Sequence, residues 1–344
     1  MAAGISRRRL LQGGATAAVL GFGLSNRAFA NIPVRFVLDW RYEGPSAFFL
    51  NALEKGYFKN EGINVDIDVG TGSPAAIQRV ASRVYDMGFG DFTSMTEFLA
   101  ANPNTPDRGC MGVYCMYEFS PATAFALKGK GINAPKDLMG KKLGAPVFDG
   151  GRKAFPIFAK ATGIDTKTIN WTSMDPSLRE TMLVRGEVDA ITGFLFSGQL
   201  SLESRGVKKE DMVIMQYKDF GVDLYGSTIM ANPLFLSSQP DAVQKFVNAM
   251  AKSVREVVAN PAPSIEFVRK RNPVAQADIE LRRLQLCIDN FVKTPHFARF
   301  GVGAVDMRRL QRTTDQVREA LGLTTPVAAS ALFTDRFLPV NRTI

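Results

Sequence analysis

Apolar and polar positions set the first elements. Val34-Arg35-Phe36-Val37-Leu38 reads as a buried strand, and Val65-Asp66-Ile67-Asp68-Val69 alternates strictly, as a strand with one covered face does. Between them Phe48, Phe49, Ala52 and Leu53 recur at helical spacing and stop near Gly56. A further stripe of Ala76, Ile77, Val80 and Val84 predicts a helix with Ser73 as its N-cap and Pro74 in its first turn. Asp86 to Gly90 gives the next short strand. This β-loop-α-β grammar predicts an open parallel sheet, whose ligands gather at the carboxyl ends of its strands. The loops there are Asp39 to Pro45, Gly70 to Ser73 and Gly90 to Ser94.

A second βα alternation spans about residues 120 to 220, with strands near Ala124–Leu127, Lys142–Val147, Val188–Thr192 and Val213–Met215. Helices are expected from Arg152 to Thr162 and from Ser177 to Arg185. Tyr225 to Ala231 returns as a strand, and beyond it the pattern is helical, over Pro240–Asn260, Ala275–Val292 and Val305–Leu321. A helical tail of this length must cover something, and the first unit is the available partner. The chain is therefore divided into residues 31–120 for a first lobe, 121–220 for a second, and 221–344 returning to the first. Two crossings, near Ser120 and Gly221, form a natural hinge.

Residues 1–30 read as an export signal: Ser6-Arg7-Arg8-Arg9-Leu10-Leu11 resembles a twin-arginine motif, an ordinary secretory signal being the alternative. A weakly apolar stretch follows, and Ala28-Phe29-Ala30 offers a cleavage site. Loss of that segment takes its four arginines and lowers the net charge from +9 to +5. The remaining basic residues are scattered and leave no nucleic-acid footprint. Arg269-Lys270-Arg271 with Arg282-Arg283 reads as a solvated helix face. Cys110 and Cys115 are close enough to pair, Cys287 reads as buried, and a single histidine, His296, argues against a metal or triad chemistry. Composition thus points to a binding protein with no cofactor.

Four segments carry a family resemblance. Leu53-Glu54-Lys55-Gly56-Tyr57-Phe58-Lys59-Asn60-Glu61-Gly62-Ile63-Asn64-Val65, Leu38-Asp39-Trp40, Ala134 to Gly144 and Gly186-Glu187-Val188-Asp189-Ala190 stand in order along the mature chain. They resemble exported solute-binding proteins of ABC importers for taurine and aliphatic sulfonates, nitrate and thiamine pyrimidine precursors. The resemblance implies an α/β, two-lobed periplasmic-binding fold of type II. It also implies a periplasmic, monomeric chain whose partners are a small solute and the permease and ATPase subunits of the importer. Pyrimidine-precursor members often continue the Trp motif with Asn and His, where this chain has Arg41-Tyr42-Glu43-Gly44-Pro45. Enzymes of the family that make the pyrimidine rely on a histidine that has no counterpart near the expected cleft.

The expected site follows from these placements. Trp40 and Tyr42 lie past a strand end, where a flat ligand can stack on a ring. Asp39 and Asp91 are short acids that can accept from ligand N–H groups, and Arg41 can pair with an anion. Gly72 and Ser73 offer backbone donors at a helix start. From the second lobe, Asp149, Gly150 and Phe194 are expected to close on the ligand, with Tyr225 near the second crossing. A pyrimidine precursor, an aromatic carboxylate and a sulfonate remain open. The rival reading is a dinucleotide site of an exported NAD(P)-dependent oxidoreductase, because Gly70, Gly72 and Ala75 match G-x-G-x-x-A with Asp91 downstream.

Overall fold

In the computed structural model, the described residues are Met1, 31–103 and 109–344. Apart from Met1, the segment expected to be an export signal lies outside them. Residues 31–344 make one compact unit. It begins with β1 (Ile32–Val37), α1 (Ala47–Glu54), α2 (Tyr57–Asn60), β2 (Ile63–Asp68), α3 (Ser73–Ala81), β3 (Met87–Asp91), α4 (Phe92–Ala101) and β4 (Met111–Cys115). Next come β5 (Ala122–Leu127), β6 (Lys142–Gly144), α5 (Gly150–Thr162), β7 (Asn170–Thr172), α6 (Arg179–Val184), β8 (Ala190–Phe194), α7 (Leu195–Glu203) and β9 (Met212–Gln216). The chain closes with β10 (Ser227–Ala231), α8 (Pro233–Ser238), α9 (Pro240–Ala259), α10 (Ile265–Arg271), α11 (Ala277–Cys287), α12 (Pro295–Phe300), α13 (Met307–Leu321) and α14 (Ala329–Leu332). Among the described residues, no helix is long and apolar enough to cross a membrane.

The strands form two five-stranded sheets, ordered β2-β1-β3-β10-β4 and β7-β6-β8-β5-β9. In the first, β1 runs parallel to β2 and β3, while β10 is antiparallel to β3 and β4. In the second, β6 runs parallel to β7 and β8, and β5 is antiparallel to β8 and β9. Each sheet is thus mixed rather than purely parallel: the first strand after each crossing enters its new sheet against the direction of its neighbours. β2 keeps the strict in-and-out burial that its sequence alternation demands. The C-terminal α9 covers the first sheet: its Phe246 stacks on Phe36 of β1 and on Phe58 of α2 at 5.0 and 4.8 Å.

Local chemistry corrects two expectations. Gly72, at φ +138°, is the N-cap of α3; Ser73 is already its first residue and turns its hydroxyl elsewhere. Cys110 and Cys115 are separate, buried thiols, whose sulfurs donate to the Ile77 and Tyr117 carbonyls at 3.5 and 3.4 Å. Cys115 lies within β4, whose extended backbone carries it away from Cys110.

Candidate functional site

β1 and β3 of the first sheet and β8 of the second end facing each other, and their loops line two small adjoining chambers. Asp39, Trp40, Phe194 and Ser197 line both. The larger chamber adds Arg41, Glu43 and the rings of Phe49, Phe89, Tyr117 and Phe196; the smaller adds Gly72, Ser73, Asp149, Gly150 and Arg179. The rings meet edge-on, Phe89 with Tyr117 at 5.3 Å and Tyr117 with Phe196 at 5.7 Å, so the aromatic wall runs continuously from the first sheet's elements to the second's.

Trp40 stands at the centre. Arg41 lies 5.1 Å from its ring centroid, and Arg179, reaching over from α6, lies 5.2 Å from it. Its indole N–H is buried with no protein partner. Arg179 is 1% exposed and fixed on both sides. Its NH1 donates to Asp149 Oδ2 at 3.0 Å, and its Nε and NH2 fork onto Glu180 Oε1 at 2.9 and 2.6 Å. Only a residue without a side chain fits opposite: a Cβ on Gly193 would stand 2.6 Å from the guanidinium.

The electrostatics decide what the cleft can take. Arg41 is committed to Glu43 at 3.0 Å, Arg179 to Asp149 and Glu180, and Arg283 of α11 to Glu280 at 3.0 Å and Glu43 at 3.3 Å. That leaves Asp39 and Asp91 without a cation. Burial, and then the charge of Asp91, push the Asp39 carboxyl up to about 7, against a bond at 3.3 Å from the Ser73 hydroxyl. Burial lifts Asp91 to about 6, although the Ser94 N–H and hydroxyl both donate to it. Glu43 behaves oppositely. Burial would raise it, but Arg283, Arg41 and the Ser197 hydroxyl, at 2.6 Å, together hold it below the ordinary range.

Of the expected site residues, Asp39, Trp40, Arg41, Gly72, Ser73, Asp149, Gly150 and Phe194 come together on the lining. Arg41 donates through NH2 to Glu43, while its Nε is buried without a protein partner. Asp149 faces the cleft with both oxygens spent, capping α5 through the Arg152 N–H and holding Thr192 and Arg179. Asp91 sits a layer back as the N-cap of α4, against Gly150. Two expectations fail. Tyr42 donates its hydroxyl to the Ile67 carbonyl at 2.7 Å, away from the chambers. Tyr225 is buried against Arg309 and Phe92, where its hydroxyl accepts from the Asp306 N–H.

The dinucleotide reading fails on the same loop that suggested it. The Gly70 and Gly72 N–H groups donate to the Trp40 and Asp39 carbonyls at 3.1 and 2.7 Å, and Pro74 has none to give. The basic run Arg269–Arg271 and Arg282 is neutralised by Glu266, Glu54 and Glu203. Sequence reasoning missed Glu43, Arg179 and Ser197. The signals were faint: an acid in a turn, and polar residues on helix starts.

A family model described as "NMT1/THI5 like" matches residues 45–264. The riboflavin-binding protein RibY of Chloroflexus aurantiacus is 25% identical over 293 residues, covering 84% of this chain and 81% of that one. A 4-amino-5-hydroxymethyl-2-methylpyrimidine phosphate synthase of Aspergillus parasiticus is 26% identical over 251 residues, covering 70% and 71%. Among solved structures, the alkanesulfonate-binding protein SsuA of Xanthomonas axonopodis pv. citri, bound to MOPS, superposes with a TM-score of 0.70 at 12% identity, covering 88% of this chain and 98% of that one.

Proposed function

The chain belongs to the NMT1/THI5-like family, and we propose that it is the exported solute-binding component of an ABC importer, closing on a small, flat, N–H-bearing ring. The observation that carries this reading is the aromatic cleft in which the guanidiniums have carboxylate partners while the Asp39 carboxyl, with Asp91 behind it, has no cation beside it. A ring packs beside Trp40 along the aromatic wall, and its N–H groups or positive charge meet the Asp39 carboxylate. Each cleft guanidinium already has a carboxylate partner, which disfavours an anion, although Arg41 keeps an unpartnered Nε. The names of the riboflavin-binding and pyrimidine-phosphate relatives agree with a nitrogen heterocycle, and the sulfonate-binding fold relative supplies the competing class.

In this reading the first lobe takes the solute through Asp39, Trp40 and Ser73. The second, carrying Arg179 and Phe194, then closes. The closed form, monomeric in the periplasm after removal of residues 1–30, is presented to the permease and its ATPase. Ligand shifts the open–closed balance only by its preference for the closed form. The synthase chemistry of the fungal relative is not carried over, because His296 packs on Phe297 and Phe300 rather than in the cleft.

The test is thermal unfolding of residues 31–344 with pyrimidines, riboflavin, aromatic carboxylates, sulfonates including MOPS, nitrate and NAD(P). A solute at about 100 times its Kd adds roughly 2.7 kcal/mol. A raised midpoint with an N–H-bearing ring is the expected result. A shift confined to sulfonates or carboxylates overturns the ligand class, and one confined to NAD(P) restores the oxidoreductase.

A further inference from the structure

The two chain crossings are laced together. Between β4 and β5 the Ser120 N–H donates to the Leu224 carbonyl at 2.9 Å, and between β9 and β10 the Gly226 N–H donates back to Tyr117 at 3.1 Å. Gly226 is pressed so close that a Cβ there would lie 2.4 Å from the Phe119 carbonyl oxygen. One side chain is shared by both strands of this ribbon. Arg309, in the first turn of α13, donates from NH1 to Glu118 Oε1 and from Nε to Asp223 Oδ1, each at 2.9 Å. Its guanidinium also lies 4.6 Å from the Phe119 ring centroid and 4.2 Å from that of Tyr225. Each crossing thus contributes one carboxylate and one ring to a single cation.

The seat of that cation is itself held. Asp306 caps α13 by accepting from the Arg308 and Arg309 N–H groups at 2.8 and 3.2 Å, and its own N–H donates to the Tyr225 hydroxyl at 2.9 Å. The far half of α13 reaches the second lobe, where Val317 enters the core built on β5, β6 and α5, and Glu319 pairs with Lys160. Bending at one crossing without the other would have to break a charge-assisted bond and separate a ring from the guanidinium.

We propose that Arg309 is a hinge pin: it binds the two crossing segments into one flexing unit and so sets how far the lobes open. It touches no part of the cleft. This inference takes from the solute-binding reading only the premise that the lobes open and close. Loss of the pin lets each crossing bend alone, and the empty protein then samples wider and more varied openings. A carboxylate pair and two rings on one arginine explain why Tyr225, expected in the ligand site, lies at the hinge instead.

The experiment needs no ligand. Spin labels on cysteines introduced at the exposed Lys59 of the first lobe and Lys167 of the second report the interlobe distance; the native cysteines are buried. Arg309→Lys, which keeps the charge but cannot hold both carboxylates, is expected to broaden the distance distribution and shift it to longer values. Asp223→Asn, at a half-exposed position, is expected to shift it the same way by less. Superposable distributions for Asp223→Asn and the parent, with both melting cooperatively, overturn the pin. So does a lowered melting point in either variant with no change in distance, which marks a merely structural contact. Should no solute in the panel bind while these distances still move, the transport reading falls and the hinge pin stands.

Discussion

Gly72 and Phe148 meet across the cleft with no room for a side chain: a Cβ on Gly72 would lie 1.5 Å from the Phe148 carbonyl oxygen. Gly72 also sits at φ +138°, a conformation L side chains rarely adopt. Replacing it with alanine therefore strikes closure before it strikes the fold, because the first lobe can keep its own core while the loops are held apart. Gly72→Ala should lower solute affinity by at least tenfold, about 1.4 kcal/mol, with a cooperative melt retained. Small-angle scattering at saturating solute checks it. An unchanged radius of gyration between empty and loaded variant is expected, where the parent contracts.

Trp40 carries the second prediction. Its ring is flanked by guanidiniums from both lobes, and its indole N–H has no protein partner. Trp40→Ala removes the indole ring and one unspent donor together. An affinity loss of roughly 30-fold or more, about 2 kcal/mol, is expected, measured by calorimetry with whichever solute raises the parent's midpoint. Trp40→Phe should recover part of it by restoring the ring without the N–H. Retained affinity in the alanine variant would remove Trp40 from the site.

How far the sequence carries can be judged from these residues. β1, β2 and α3 are legible because apolar periodicity is local, and Asp39, Trp40 and Gly72 follow from their places at strand ends. The order of the sheets' antiparallel strands is not local, and β4 is a short run interrupted by Gly112, signalled only by the Asn-, Pro- and Gly-rich residues before it. Arg179 was invisible for a further reason. Its role depends on Gly193, Asp149 and Glu180 converging from separate elements, and nothing in a single helix start announces that. Tyr42 and Tyr225 failed because a hydroxyl beside a strand end can equally well serve a backbone group, as Tyr42 serves Ile67.

The buried acids predict a pH dependence. Asp39 titrates near 7 in the folded chain against an ordinary 3.8, and Asp91 near 6. The folded protein therefore holds these protons more tightly than the unfolded chain does. Their contribution favours the folded state most below about pH 4 and is lost as the pH rises through 6 and 7. Asp39→Asn removes the larger part. The variant is expected to melt above the parent at pH 8, by up to about 4 kcal/mol, with the gap closing toward pH 4. The same variant should bind an N–H-bearing ring more weakly at pH 8, where the parent offers a full carboxylate. Melting curves across that range decide it: a parent with flat stability between pH 4 and 8 would show that Asp39 is not a raised acid.

Glu43 joins the cleft wall to the contact between α7 and α11. Its carboxylate takes the Ser197 hydroxyl and Arg283, while Arg283 also donates to the Phe196 and Ser197 carbonyls at 3.0 and 2.9 Å. α11 is fixed to the first lobe at Gly44, where a Cβ would stand 2.3 Å from the Glu280 carbonyl oxygen, and α7 to the second at Gly198, against Phe125. Arg283 thus ties one lobe to the other through a fully buried charge. Glu43→Ala would leave that charge, and Arg41, short of a partner; a loss of about 3 kcal/mol in urea unfolding is expected. Ser197→Ala deletes one neutral donor to a charged group and should cost about 1.5 kcal/mol. The ordering is the test. If Ser197→Ala costs as much as Glu43→Ala, the hydroxyl rather than the ion pair is what joins the lobes, and Arg283 is held by the α7 carbonyls and Glu280 alone.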